Sequence, residues 1–99
     1  MPLDNSRDVE LGLILSDAAD LIERHGWCQG VWSIDERRCA FRAIRDVSGP
    51  SFGAAIEFFK RRLEVPNAVA WNDAPERTKE QVIAALRGDA GATPPHLSA

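Results

Sequence analysis

From Asp8 to about Arg24 the apolar residues fall at steps of three and four: Leu11, Ile14, Leu15, Ala18, Leu21 and Ile22. Asp17, Asp20, Glu23 and Arg24 fill the other face. That period predicts an amphipathic helix with one buried stripe. Residues 1–7 read as a ragged lead-in, with Asn5, Ser6 and Asp8 as candidate N-caps, and Gly26 stands where a C-cap glycine belongs. Residues 27–34 lose the period. They read as a turn and then a brief extended stretch, with no second convincing strand to pair with it. Ser33-Ile34-Asp35-Glu36 has the spacing of a capping box and predicts a second helix from about Glu36 to Val47. Cys39, Ala40, Ala43, Ile44 and Val47 form its inner face, and Arg38, Arg42 and Arg45 its outer face.

Ser48-Gly49-Pro50-Ser51 is a break with a new start, proline in the first turn and serine as a cap. The third helix, about 51–64, has the cleanest stripe: Phe52, Ala55, Ile56, Phe59 and Leu63, widened by Phe58 and stopped by Pro66. Residues 67–71 read as a connector and Trp71-Asn72-Asp73-Ala74-Pro75 as a loop. Thr78-Lys79-Glu80-Gln81 is a further capping box. It opens a fourth helix to about Arg87, with Val82, Ile83 and Leu86 inward and Gly88 closing it. The segment 89–99 is rich in Gly, Ala and Pro with little to bury, and disorder is expected there. The pattern therefore predicts an all-α fold: one domain over residues 1–88, about four short helices, loops carrying Trp27, Trp32 and Trp71 that plug the ends of the core, and a disordered C-terminal tail.

Composition narrows the function classes. The chain has 99 residues, 44% hydrophobic and 27% charged, as expected of one ordinary globular domain. No stretch approaches the roughly 20 apolar residues of a membrane span, and no basic-then-apolar start marks a secretory signal. Two cysteines do not make a disulfide framework and suit a reducing cytosol. A cytoplasmic location is expected. The net charge of −3 is unevenly spread. Residues 1–35 carry two basic and seven acidic side chains, residues 36–62 seven and three, and residues 63–99 three and five. The acidic first helix and basic middle can attract each other or a partner, while an acidic whole argues against nonspecific nucleic-acid binding.

Two clusters interrupt the helical sequence and hold the candidate chemistry: His25-Gly26-Trp27-Cys28-Gln29-Gly30 and Trp71-Asn72-Asp73. His25, Cys28 and Cys39 are the candidate metal ligands. His-x-x-Cys is a usable spacing for zinc, but the doubled pairs of a true zinc signature are missing and the fourth ligand would have to be Asp73, His96 or water. The plainer reading is a helix-end histidine and two buried thiols acting as small hydrophobes. Cys28, His25 and Asp73 match a nucleophile, base and orienter in residue type alone. Asn72 and Asp73 also suit a tight turn sealed by Trp71. Arg38, Arg42 and Arg45, with Lys60-Arg61-Arg62, form either a docking face for an anion or a solvated surface paired with Asp17, Asp20 and Glu23.

Ala18-Ala19-Asp20-Leu21-Ile22, the His25–Gly30 cluster, Cys39-Ala40 with Ala43-Ile44, Trp71-Asn72-Asp73, and Arg77-Thr78 with Val82 and Leu86 occur in that order. In this the chain resembles a family of small bacterial proteins known as a domain of unknown function and frequent in actinobacteria, over about residues 9–87. It departs from the family pattern after Cys39, where Phe41-Arg42-Ala43 stands in place of a glycine-richer segment. The resemblance implies a bacterial or phage cytosolic protein and carries no activity.

The first functional expectation is a non-enzymatic, cofactor-free helical module that binds another protein, with a homodimer and a phage-encoded regulator as special cases. Its candidate binding residues are Trp27, Cys28, Gln29, Trp32, Arg38, Arg42, Arg45, Trp71, Asn72 and Asp73, because Trp and Arg dominate binding hot spots. The alternative is a small-molecule or metal site, or a catalytic cysteine, framed by the two clusters. The third is RNA or DNA binding through the arginine face.

Overall fold

In the computed structural model, which describes the backbone of residues 2–89 and the side chains of residues 7–89, the first amphipathic pattern becomes helix α1 (Pro2–His25). The expected ragged start is corrected: the helix begins at Pro2, so Asn5, Ser6 and Asp8 lie inside it and do not cap it. Proline is favoured in a first turn because its missing N–H has no helical partner there, and acids early in the helix suit the positive end of its dipole. Gly26 ends α1 with φ +105°, its N–H bonded to the Ile22 carbonyl at 2.7 Å. A Cβ at Gly26 would stand 2.5 Å from the Cγ of Arg37, so both the conformation and the close approach require glycine.

The segment after Gly26 differs most from expectation. Ser33-Ile34-Asp35-Glu36 is not a capping box. It opens a small antiparallel hairpin, β1 (Ser33–Ile34) and β2 (Arg37–Arg38), with Ser33 opposite Arg38 and Ile34 opposite Arg37. Asp35 turns the chain at φ 56°, a left-handed conformation that aspartate tolerates better than most residues. Arg38 also bridges back to the chain at Trp27: its N–H bonds the Gly26 carbonyl and its carbonyl accepts from Cys28 N. The loop's backbone groups thus find partners without helix.

Helix α2 (Ala40–Ser48) therefore starts four residues later than expected and is capped by Cys39, whose sulfur accepts from Arg42 N at 3.4 Å. A 3-10 turn (Gly49–Ser51) leads into α3 (Phe52–Leu63), and Ser51 makes no side-chain cap. Glu64 closes α3 in a left-handed conformation ahead of Pro66. The expected connector is a short helix, α4 (Ala68–Asn72), capped by the Asn67 side chain on Ala70 N at 2.9 Å. Trp71 and Asn72 are thus its last residues, not loop residues. Helix α5 (Lys79–Arg87) opens on the reciprocal Thr78/Gln81 capping box and closes on Gly88, as its sequence predicts.

One core joins these elements. Leu11, Leu15, Ala18, Ala19 and Ile22 of α1 pack against Ala40, Ala43 and Ile44 of α2, Ala55, Ile56, Phe59 and Leu63 of α3, and Val82, Ala85 and Leu86 of α5. Alanines at the α1–α2 contact let the two backbones approach closely. Arg62 of α3 donates to the carbonyls of Ala85 and Leu86 at 3.1 and 2.8 Å, giving the Leu86 carbonyl a partner and adding a second bond to that of Ala85, which already accepts from Gly88 N. The protein is all-α apart from the hairpin. None of the described helices is long and apolar enough to cross a membrane. Residues 90–99, most of the tail expected to be disordered, lie outside the described residues, as does His96.

Candidate functional site

The two clusters meet, and Asn72 joins them. Its side chain is fully buried. Its Oδ1 accepts from Trp27 Nε1 at 2.6 Å and from Ala40 N at 3.0 Å, and its Nδ2 donates to the Cys28 carbonyl at 3.1 Å and to Asp73 Oδ1 at 2.9 Å. All four hydrogen-bonding positions of a primary amide are filled. Gln29 Nε2 donates to the carbonyls of Asn72 and Ala74 at 3.0 and 2.8 Å, and Gly30 N donates to Asp73 Oδ1 at 2.9 Å. Trp27, Gln29 and Asn72 therefore direct their polar atoms into the fold.

Trp71 lies beneath this junction, 6% exposed. Its ring meets Phe59 edge-on at 5.6 Å, and Arg77 covers it with the guanidinium carbon 4.2 Å from the centroid while donating to the Trp71 carbonyl. The indole N–H of Trp71 is buried without a protein partner.

The thiols are buried as well. Cys28 Sγ lies 3.6 and 3.7 Å from the carbonyls of Val31 and Arg37, to which it donates. Burial raises the Cys28 pKa first, helped by the neighbouring Cys39 and by Asp73 against the opposing pull of Arg37. Burial also raises that of Cys39, against the hydrogen bond from Arg42. Both are free, and burial favours their neutral form, whereas nucleophilic attack and metal ligation use the thiolate. His25 is turned away from them toward Glu36, with Nδ1 3.0 Å from Oε1. No three His, Cys, Asp or Glu side chains among the described residues stand together as a metal site; the fold does not bring His25, Cys28 and Cys39 to one point.

Trp32 is the exception among the tryptophans and corrects the expectation that all three plug the core. It is 46% exposed, next to Val31 at 50% and near Ile34 at 40%. Its inner edge rests on Phe41, which meets Phe52 edge-on. The guanidinium carbons of Arg45 and Arg42 stand 5.3 and 5.9 Å from its ring centroid. The arginines do not form one helical face. Arg38 belongs to β2, and it and Arg42 share Asp46 at 2.7 and 2.9 Å. Burial alone would raise the Asp46 pKa, but the hydrogen bonds from Arg38 and Arg42 outweigh it and hold the carboxyl below its ordinary range. Arg45 has no acidic partner among the described residues. Of the α1 acids named as their partners, Asp20 and Glu23 bind Arg87 instead, and Asp17 makes no ion pair among the described residues. At the end of α3, Lys60 pairs with Glu57 and Arg62 is occupied by α5, so only Arg61 of that triplet stays exposed.

Beside Trp32 lies a cavity of about 210 Å³, lined by Gly30, Val31, Trp32, Cys39, Val69 and Asp73. Two more open depressions, of about 340 and 320 Å³, lie along α1 and between α1 and α5; of their acids, Asp20 and Glu23 already bind Arg87, while Glu80 and Asp89 line the second. Val31, Ile34, Phe41 and Val69 were not among the sequence candidates. Val31 and Ile34 lie in short extended or turn segments that carry no periodic signal, Val69 lies in a helix of only five residues, and Phe41 falls outside the Ala40, Ala43, Ile44 and Val47 stripe of α2.

The fold and site define a small helical domain with a hydrogen-bonded loop junction and one displayed tryptophan. Over residues 6–91 the chain matches the model of a family of unknown function (DUF6197) and belongs to that family. No curated protein and no solved structure matches it.

Proposed function

We propose that this protein is a non-enzymatic docking module of the bacterial cytosol, and that it binds an acidic segment of another protein through the face formed by Val31, Trp32, Ile34 and Arg45. The exposed Trp32 beside Arg45, which has no acidic partner among the described residues, is the observation that carries this reading. A large ring held on Phe41 offers contact area at little cost in side-chain freedom, and Trp and Arg are the commonest anchors of protein interfaces. Arg45 gives the face its charge preference: the single carboxylate of Asp46 engages Arg38 and Arg42 and offsets one of their two charges, while Arg45 has no acidic partner among the described residues. The buried thiols and the filled hydrogen bonds of Asn72 favour docking over cysteine catalysis. Nucleic acid is the weaker partner, since phosphate binding gains from several uncompensated cations on one face.

Site-specific photo-crosslinking tests the proposal. A benzophenone amino acid at position 34, which leaves Trp32 in place, should in the native host give one discrete adduct that is absent from position 80 on α5. Arg45→Glu should abolish the adduct, and reversing the charge of the partner's acidic residues should restore it. No adduct, or the same products from both positions, would overturn the reading. Self-association is the second reading, favoured by Val9 and Leu13, exposed one turn apart on α1. Sedimentation would then give a dimer that Leu13→Glu dissociates.

A further inference from the structure

We propose that the Asp73 cavity binds a monocationic organic group, an alkylammonium or guanidinium carried on an aliphatic stem. Its walls are mostly apolar: Val31, Trp32 and Val69, with the Cys39 thiol and the Gly30 backbone. Asp73 is its one charged group. The carboxylate is held in place through Oδ1, which accepts from both Gly30 N and Asn72 Nδ2 at 2.9 Å. Nothing among the described residues donates to Oδ2, so this oxygen keeps its acceptor capacity.

That arrangement selects among occupants. An apolar group would strip water from the carboxylate and return no hydrogen bond, at a net cost. An anion would meet Asp73 directly. A cation on a short aliphatic stem lays its methylenes along Val31 and Val69, as lysine and arginine stems do on apolar surfaces. It brings its N–H donors to Oδ2 and can use the Trp32 ring. Drug-sized ligands fill cavities of roughly 300–1,000 Å³; about 210 Å³ suits a single side-chain-sized group. Arg45, over Trp32 at 5.3 Å, is the like charge that opposes the bound cation. The cavity shares Val31 and Trp32 with the docking face, but Asp73 recognises a cation without a docked protein.

Two-dimensional NMR titration of the intact protein tests this with n-butylammonium, 1-butanol, and the N-acetyl methylamides of lysine and norleucine. The two cations should give saturable shifts at the Gly30 amide, the Val69 methyls and the Trp32 indole; the two neutral compounds should not. Asp73→Asn keeps the Oδ1 acceptor and should weaken binding roughly tenfold or more, as loss of a charge-assisted hydrogen bond does. Val69→Phe fills the cavity without touching Asp73 and should abolish binding in a folded protein. Arg45→Ala should strengthen cation binding while weakening an acidic partner, so the two proposals can fail separately. Binding of both cations would mean the charged group alone is recognised. Binding of only the lysine derivative would assign the occupant to a protein side chain and also support the proposal. No saturable shift with either cation, or 1-butanol binding as well as n-butylammonium, would overturn it.

Discussion

Replacing Asn72 by alanine removes one buried amide and leaves three groups without their partner: the Trp27 indole N–H, the Ala40 N–H that begins α2, and the Cys28 carbonyl. A buried polar group stripped of its hydrogen bond costs about 1–3 kcal/mol, so the sum before relaxation is roughly 3–9 kcal/mol. Water entering the space would restore some of these bonds. The expected net loss is about 3–5 kcal/mol, a large part of the roughly 5–15 kcal/mol that holds a domain of this size. Urea unfolding followed by far-ultraviolet circular dichroism measures it, and a drop in Tm of more than about 12 °C would accompany it. Asn72→Asp gives a sharper form of the test. It keeps Oδ1 but puts an oxygen where Nδ2 faces the Cys28 carbonyl and Asp73. Burial and the neighbouring carboxylate would raise the pKa of this new acid above its unfolded value of about 3.9. Stability should be greatest below that value, where a protonated oxygen can donate to Cys28, and be lost as pH rises through the folded pKa. A loss below about 1 kcal/mol for Asn72→Ala, typical of a surface substitution, would refute the claim that Asn72 joins the two clusters.

Trp71→Ala should cost about 3–5 kcal/mol as a buried aromatic deletion. Trp71→Phe should cost no more than about 2 kcal/mol, because the indole N–H it removes has no protein partner; denaturant midpoints of both variants check this. The Arg38–Asp46–Arg42 cluster should contribute fully above about pH 4 and be lost as pH falls through the depressed Asp46 pKa. Asp46→Asn should therefore flatten the acid limb of a stability–pH profile. Cys28 and Cys39 should resist iodoacetamide in the native protein at neutral pH and react once urea unfolds it, as mass spectrometry would read.

Local signals hold where only one local structure satisfies them and fail where two can, as at Ser33–Glu36, or where the cap is not made, as at Ser51. The Thr78/Gln81 capping box, the Gly26 and Gly88 stops and the Phe59 stripe all act within a few residues, and each stands where its pattern puts it. The hairpin was missed because two-residue strands carry no period, and Ser33–Glu36 satisfies the spacing of a cap as well as that of a turn. The five-residue α4 is too short to show a stripe. The Asn72 junction was legible only as residue types, since its bonds span 32 to 45 residues and nothing in Trp71-Asn72-Asp73 distinguishes a turn asparagine from one that ties distant loops. Nor could composition tell which tryptophan faces outward. Trp27 and Trp71 are held by Asn72 and Phe59, while Trp32 follows the loop onto the surface.

Trp32 is, on this account, held at the surface for a partner and not for the fold. Equilibrium unfolding of Trp32→Ala tests that most directly. Its ring is about half buried, so deletion should cost about 2 kcal/mol, roughly half the value of a fully buried aromatic, and the isolated domain should stay folded. A loss of about 3 kcal/mol or more, the scale of a buried aromatic, would make Trp32 part of the core and contradict the docking face.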